Sequence, residues 1–180
     1  NQQKICERIC CDYENGKRNT YLIHGVTGSG KTEVYLQTIE HIVGQGKQVI
    51  VLIPEIALTY QTVRRFTERF GNRVAFLHSR LSMGERYDQY RLAKEGKLDI
   101  MIGPRSALFT PFENLGGIVI DEEHESSYKS EQVPKYHARE TAIQLAKMTD
   151  SCVILGSATP SLESYERAQQ GEYVLLELKQ

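Results

Sequence analysis

One stretch limits the folds open to this chain more than any other: GVTGSGKT, Gly25–Thr32. It fits the pattern G-x-x-x-x-G-K-[ST] in full. It follows an apolar run, TYLIHG, and opens a helical pattern, which is the context that the motif requires. Glycines let such a loop curl tightly and aim its N–H groups at a polyphosphate, and the opening helix adds a favourable dipole. On this reading Gly25, Val26, Thr27, Gly28, Ser29 and Gly30 cradle the phosphates of a nucleotide. Lys31 neutralises the β- and γ-phosphates, and Thr32 offers its hydroxyl to Mg²⁺.

A strand-loop-helix of this kind needs a sheet around it, and the sequence supplies one. Short β-rich runs (TYLIHG, QVIVLIP, RVAFLH, LDIMIG, GIVID, CVILGS, EYVLLEL) alternate with helical patterns. Several are continuous apolar runs, as expected of parallel strands covered on both faces. Ile5, Cys6, Ile9 and Cys10 form the apolar side of a first helix. Tyr60, Val63, Phe66, Thr67 and Phe70 mark another, Met83, Tyr87, Tyr90 and Leu92–Ala93 a third, and His137 to Met148 a fourth; Ser161 caps a short one. The alternation predicts one α/β domain over residues 1–180, a three-layer αβα fold with a mostly parallel twisted sheet. The polar stretch HESSYKSEQVPKYHARE, His124–Glu140, is long enough to be read as a functional loop.

Composition narrows the partners. Charged residues are 25% and the net charge is −1, so no global basic field draws the chain to nucleic acid, and any such contact must be local. No apolar run approaches the roughly 18 residues of a membrane span, and the polar N-terminus is not a signal peptide. Cys6, Cys10, Cys11 and Cys152 lack C-x-x-C spacing and so do not read as a zinc site; free thiols fit a reducing cytoplasm.

GIVIDEEH, Gly117–His124, ends an apolar run in three carboxylates and a histidine. Stacked charges at a buried strand end are costly to desolvate unless a cation stands nearby. Asp121 is expected to hold Mg²⁺, largely through water, and Glu122 to act as general base on the attacking water. GSATPS, Gly156–Ser161, ends another strand and offers hydroxyls that could bond the carboxylates and sense the γ-phosphate.

Taken together, these motifs resemble those of the superfamily 2 helicases: a Walker A loop (Gly25–Thr32), an Asp-Glu-x-His box (Asp121–His124) and a Ser-Ala-Thr motif (Ser157–Thr159). With GVTGSGKTEVYL, PEIALT, GPRSALFTPF, DEEHESSYK and YHARE, the chain is similar from Tyr21 to Ser161 to the PriA family of bacterial replication-restart helicases. The resemblance implies a RecA-like P-loop NTPase fold and an ATP-driven 3′→5′ DNA helicase that helps load the replicative helicase. Its cofactors would be ATP and Mg²⁺. Its partners would be single-stranded and forked DNA, primosome proteins, the helicase loader and single-stranded-DNA-binding protein, in the bacterial cytoplasm at the nucleoid.

Site roles carry over by position. PEIALT supplies Glu55 and Thr59, and GPRSALF supplies Arg105 and Ser106, as DNA-contacting residues. The aromatic-rich loop adds Tyr128, Lys129, Tyr136 and Arg139, with bases stacking on the tyrosines; Lys135 stands where the family pattern leads one to expect arginine. His124, Ser157 and Thr159 couple the motifs. Gln3, with Gln2 as the alternative, would read adenine. An N-terminal DNA-binding region and a second lobe with arginine fingers and a zinc-binding insertion are expected outside these residues. The competing readings are another superfamily 2 DNA or RNA translocase and a non-catalytic ATP-sensing assembly module. A transporter ATPase is disfavoured for want of an LSGGQ-like segment.

Overall fold

The computed structural model describes residues 1–179. Helix α1 (Gln2–Glu14) leads into β1 (Thr20–Gly25), α2 (Lys31–Gly44) and β2 (Gln48–Leu52). Then come α3 (Tyr60–Phe70), β3 (Val74–Phe76), α4 (Met83–Lys94), β4 (Ile100–Gly103) and β5 (Leu115–Ile120). Helix α5 (Ala138–Thr149), β6 (Cys152–Ser157), α6 (Leu162–Gln169) and β7 (Val174–Leu178) complete the order. The strands form a 7-stranded sheet in the order β3-β4-β2-β5-β6-β1-β7, and every pairing is parallel.

The apolar runs are buried on both faces because successive side chains point to opposite sides of a strand. In β5, Val119 joins Val34, Ile39 and Phe66 in the core beneath α1, α2 and α3. Its neighbours Ile118 and Ile120 join Ala138, Ala142 and Ala93 in the core on the other face. The RecA-like α/β fold class expected from the motifs is the one observed. So is the apolar side of α1, with Ile5, Cys6 and Ile9 buried, though Cys10 is only partly covered.

One expectation needs correction. The helical spacing that marks Met83 and Tyr87 implies a shared apolar face on the core, and the helix is present, yet these two residues are 89% and 68% exposed. Helix α4 starts where its capping box sets it: Ser82 accepts from the Glu85 N–H, and Glu85 accepts from the Ser82 N–H. Only Ala93 of this helix is buried, with Tyr90 and Leu92 packing partly against the core. Tyr60 of α3 is likewise exposed, and Phe66 is the buried anchor of that helix. No helix among the described residues is long and apolar enough to cross a membrane.

The strand order positions the site. Strands β5, β6 and β1 are neighbours, so their C-terminal ends bring together Asp121, Ser157 and Gly25 from three distant parts of the sequence. In open parallel sheets ligands bind in this crevice at the carboxyl edge.

Candidate functional site

The phosphate loop leaves β1 at Gly25 and enters α2 at Lys31. Gly28 and Gly30 have φ of 82° and 95°, left-handed values that favour glycine. Gly30 has a second reason: a Cβ there would lie 1.8 Å from Nε2 of Gln2, whose amide donates to the Ser29 carbonyl at 3.0 Å. Residues 26 to 28 are exposed, leaving the loop open to a ligand. The Lys31 side chain is buried, with Nζ donating to Gly25 O at 2.6 Å and standing 3.9 Å from Glu122 Oε1. Ser29 Oγ is buried and has no hydrogen-bond partner. A curled glycine loop, a sequestered ammonium and an orphaned hydroxyl form a donor set that fits a nucleotide polyphosphate.

Across from the loop, Asp121 follows β5 and its N–H donates to Leu52 O at 2.9 Å. The Tyr35 hydroxyl donates to Asp121 Oδ1 at 2.9 Å. Glu122 takes φ of 49°, which is uncommon for a residue with a Cβ. Its Oε2 lies 3.5 Å from His124 Nδ1, and that nitrogen is 2.6 Å from Ser157 Oγ. The same Ser157 oxygen accepts from the Thr159 N–H at 3.0 Å. Lys31, Asp121, Glu122, His124, Ser157 and Thr159 thus form one connected group, and Thr32 stands on the first turn of α2 beside it. With a carboxylate and a hydroxyl as hard oxygen donors, Asp121 and Thr32 suit Mg²⁺.

Burial holds the Asp121 carboxyl above the ordinary aspartate range. The Glu122 charge adds to this, while the Tyr35 hydrogen bond and Lys31 act in the opposite sense. The folded chain therefore takes up a proton at this site more readily than the unfolded chain. The ionised carboxylate costs stability at neutral pH, and that cost fades as pH falls through the folded value. Asp121→Asn keeps an acceptor facing Tyr35 and removes the charge. The nucleotide-free variant should melt higher at neutral pH, by about 2–4 °C for each kcal/mol relieved. The difference should narrow at mildly acidic pH. Melting curves at both pH values check this, and an Asn variant that melts lower at neutral pH would refute it.

The long loop departs from the sequence expectation in two places. Tyr128, expected to stack on a base, is 1% exposed, with its ring in the core and its hydroxyl 2.6 Å from Asp121 O and 3.1 Å from Leu52 O. Arg139, expected on DNA, is 3% exposed because the loop returns into the fold at α5. Its guanidinium donates to Glu123 (3.1 Å), Glu140 (3.2 Å) and Glu163 (2.7 Å). Neither side chain can meet a nucleic acid from these positions.

Arg105 anchors the loop: its Nη1 donates to Ser127 O at 3.0 Å and Lys129 O at 2.8 Å, and its guanidinium lies 5.7 Å from the Tyr136 ring. Tyr136 is half-buried, edge-on to Phe109, while Lys129 and Lys135 are exposed. Ser106 follows in the 3₁₀ turn Arg105–Phe109. Glu55 accepts from the Ser79 N–H at 2.8 Å, and Thr59 caps α3. These groups lie at the carboxyl ends of β2, β4 and β5, on the same edge as the phosphate loop. Gln2 and Gln3 line an open cavity of about 520 Å³ with Gly28, Ser29 and Leu178. Gln2 touches the phosphate loop, whereas the Gln3 amide donates to Glu7 on its own helix.

Sequence reasoning missed Tyr35 and Glu123. Tyr35 sits four residues after Lys31, hence on the same side of α2, a spacing that the sequence displays. Glu123, the third carboxylate of DEEH, has a fully buried side chain and accepts from Ser161 N–H (2.7 Å), Ser164 Oγ (2.9 Å) and Arg139. It pins the end of β5 to the start of α6.

Comparison with known proteins agrees with this architecture. The chain is 57% identical over 178 residues to the replication restart protein PriA of Bacillus subtilis, covering 99% of the chain and 22% of that protein. It is 46% identical over 170 residues to the PriA of Treponema pallidum, covering 94% of the chain and 25% of the relative. The chain thus spans about a quarter or less of these relatives' length. The fold matches the Pyrococcus furiosus Hef helicase domain (TM-score 0.69, 18% identity, 98% of this chain, 36% of the other). It also matches RecG bound to a three-way DNA junction (TM-score 0.67, 24% identity, 97% of this chain, 23% of the other). The DEAD/DEAH box helicase family matches residues 1–168, and the chain belongs to that family.

Proposed function

We propose that this chain is the first RecA-like lobe of an ATP-dependent 3′→5′ DNA helicase that restarts stalled replication forks. A second lobe with arginine fingers and a zinc-binding insertion, and an N-terminal DNA-binding region, would lie outside these residues. The observation that carries the reading is the meeting of Lys31 and Glu122, 3.9 Å apart, over the carboxyl edge of the sheet. The similarity to PriA proteins supports the replication-restart assignment. Partners on this reading are single-stranded and forked DNA, primosome proteins, the helicase loader and single-stranded-DNA-binding protein, in the bacterial cytoplasm at the nucleoid.

On this reading the phosphate loop binds ATP, and Lys31 leaves the Gly25 carbonyl to face the β- and γ-phosphates. Thr32 and Asp121 would hold Mg²⁺, which when bound neutralises charge on the phosphate oxygens. Glu122 accepts the proton of the attacking water, and His124 and Ser157 relay the state of that carboxylate to β6. The exposed Lys129 and the half-buried Tyr136, with Ser106, Glu55 and Thr59, form the DNA-facing edge.

Lys31→Ala removes the charge-assisted contacts to phosphate, each worth about 1.5–3 kcal/mol. Nucleotide affinity should fall by roughly tenfold or more, and hydrolysis stimulated by single-stranded DNA should disappear. Calorimetric nucleotide binding with a phosphate-release assay is the test, and wild-type affinity in the variant would refute the phosphate-loop assignment. Stimulation by RNA as well as by DNA would instead favour another superfamily 2 translocase.

A further inference from the structure

Asp121 is held by two tyrosine hydroxyls that come from different parts of the chain and grip different atoms. Tyr35, on α2, is 2% exposed and reaches the carboxylate at 2.9 Å. It has room to do so because β6 carries Gly156 beneath it: a Cβ there would lie 1.6 Å from the tyrosine oxygen. Tyr128, from the long loop, approaches the main chain instead. Its single hydroxyl proton has two acceptors within reach, Asp121 O at 2.6 Å and Leu52 O at 3.1 Å. Leu52 O already accepts the Asp121 N–H, so the closer Asp121 carbonyl is the better acceptor. That carbonyl belongs to the peptide joining Asp121 to Glu122, and Glu122 is the residue turned to φ of 49°. One hydroxyl therefore sets the carboxylate, and the other sets the peptide from which the next carboxylate departs.

We propose that Tyr35 and Tyr128 are positioning residues with separate tasks. Tyr35 orients the Asp121 carboxylate for the cation that accompanies the nucleotide, and Tyr128 orients the Asp121–Glu122 peptide and so aims the Glu122 carboxylate at water. The proposal rests on the reading of Asp121 as cation-holding and of Glu122 as the base. Neither hydroxyl needs to touch nucleotide. Tyr35 acts through a hydrogen bond to the carboxylate and Tyr128 through one to the peptide that precedes Glu122, so phenylalanine keeps the packing and deletes only the interaction.

The test uses the full-length protein carrying Tyr35→Phe, Tyr128→Phe or Asp121→Asn. Binding of a fluorescent ADP is titrated with and without Mg²⁺, and DNA-stimulated turnover is measured at saturating ATP. Thermal melts are recorded in parallel. Tyr35→Phe should cut the affinity gain that Mg²⁺ brings by roughly tenfold while leaving Mg²⁺-free binding in place. Tyr128→Phe should keep that gain and lower maximal turnover by roughly fivefold to tenfold. A merely structural role would lower the melting temperature and shift both readouts together, or neither, and either pattern overturns the proposal. If Asp121→Asn abolishes the Mg²⁺ gain but Tyr35→Phe does not, the positioning role fails while the reading of Asp121 stands. If Asp121→Asn leaves the gain intact, both fail. All assays are run below the lowest melting temperature of the set, so every variant is read folded; a phenylalanine variant with no folded state at any temperature refutes the claim that its hydroxyl only positions.

Discussion

Replacing Glu122 by glutamine is expected to leave nucleotide binding intact while ATP turnover falls by roughly 10²–10⁴, the usual contribution of a positioned general base. The geometry explains the separation. Glu122 meets Lys31 only at 3.9 Å and His124 at 3.5 Å, so its carboxylate is within reach of its neighbours without being locked into a tight hydrogen bond. Glutamine preserves the shape and the backbone turn but cannot take a proton. Losing the negative charge also frees Lys31 for phosphate, so affinity should hold or rise slightly. Fluorescent-nucleotide titration beside phosphate release, with saturating single-stranded DNA in the full-length protein, measures both. An affinity that drops in step with turnover would mean that Glu122 binds substrate and does not activate water.

How much of this was legible beforehand depended on whether a feature is local. The glycine-rich loop and the carboxylate box are contiguous segments, and the chemistry proposed for them rests on residue type and flanking strands alone. The sheet was equally readable, since VIVL, GIVI and CVIL are apolar without interruption and only strands covered on both faces need that. Helix α4 lies where its spacing predicts, but Ser82 and Glu85 fix its N-terminus so that Met83 and Tyr87 face water and only Tyr90, Leu92 and Ala93 reach the core.

The long loop was the harder case. Tyrosine and arginine are chosen both for nucleic-acid surfaces and for buried polar anchors, and the sequence does not say which way the loop turns. Tyr128 points inward because two main-chain carbonyls at the ends of β2 and β5 lie within reach of its hydroxyl. Arg139 points inward because α6 presents Glu163 and two serines opposite Glu123. Those partners are up to 25 residues away in the chain for Arg139 and 76 for Tyr128, and only the folded sheet brings them near.

That inward arginine leads to the largest stability effect expected in this domain. Arg139 and Glu123 are buried together, with side chains 3% and 0% exposed. A buried pair is tolerable only when its remaining donors and acceptors are satisfied, and here Ser161, Ser164, Glu140 and Glu163 complete the set. Truncation to alanine leaves Glu123 charged with no cation beside it, between β5 and α6. Breaking such a pair costs about 3–5 kcal/mol. In a domain of this size the melting temperature should drop by on the order of 10 °C. The added change Glu123→Gln removes the stranded charge, so the double variant should recover part of the loss, and the shortfall from additivity measures the coupling between the two residues. Thermal or urea unfolding of Arg139→Ala, Glu123→Gln and the double variant gives all the required terms. If Arg139→Ala unfolds like the wild type and instead loses affinity for single-stranded DNA, the arginine faces nucleic acid and the buried network described here is wrong.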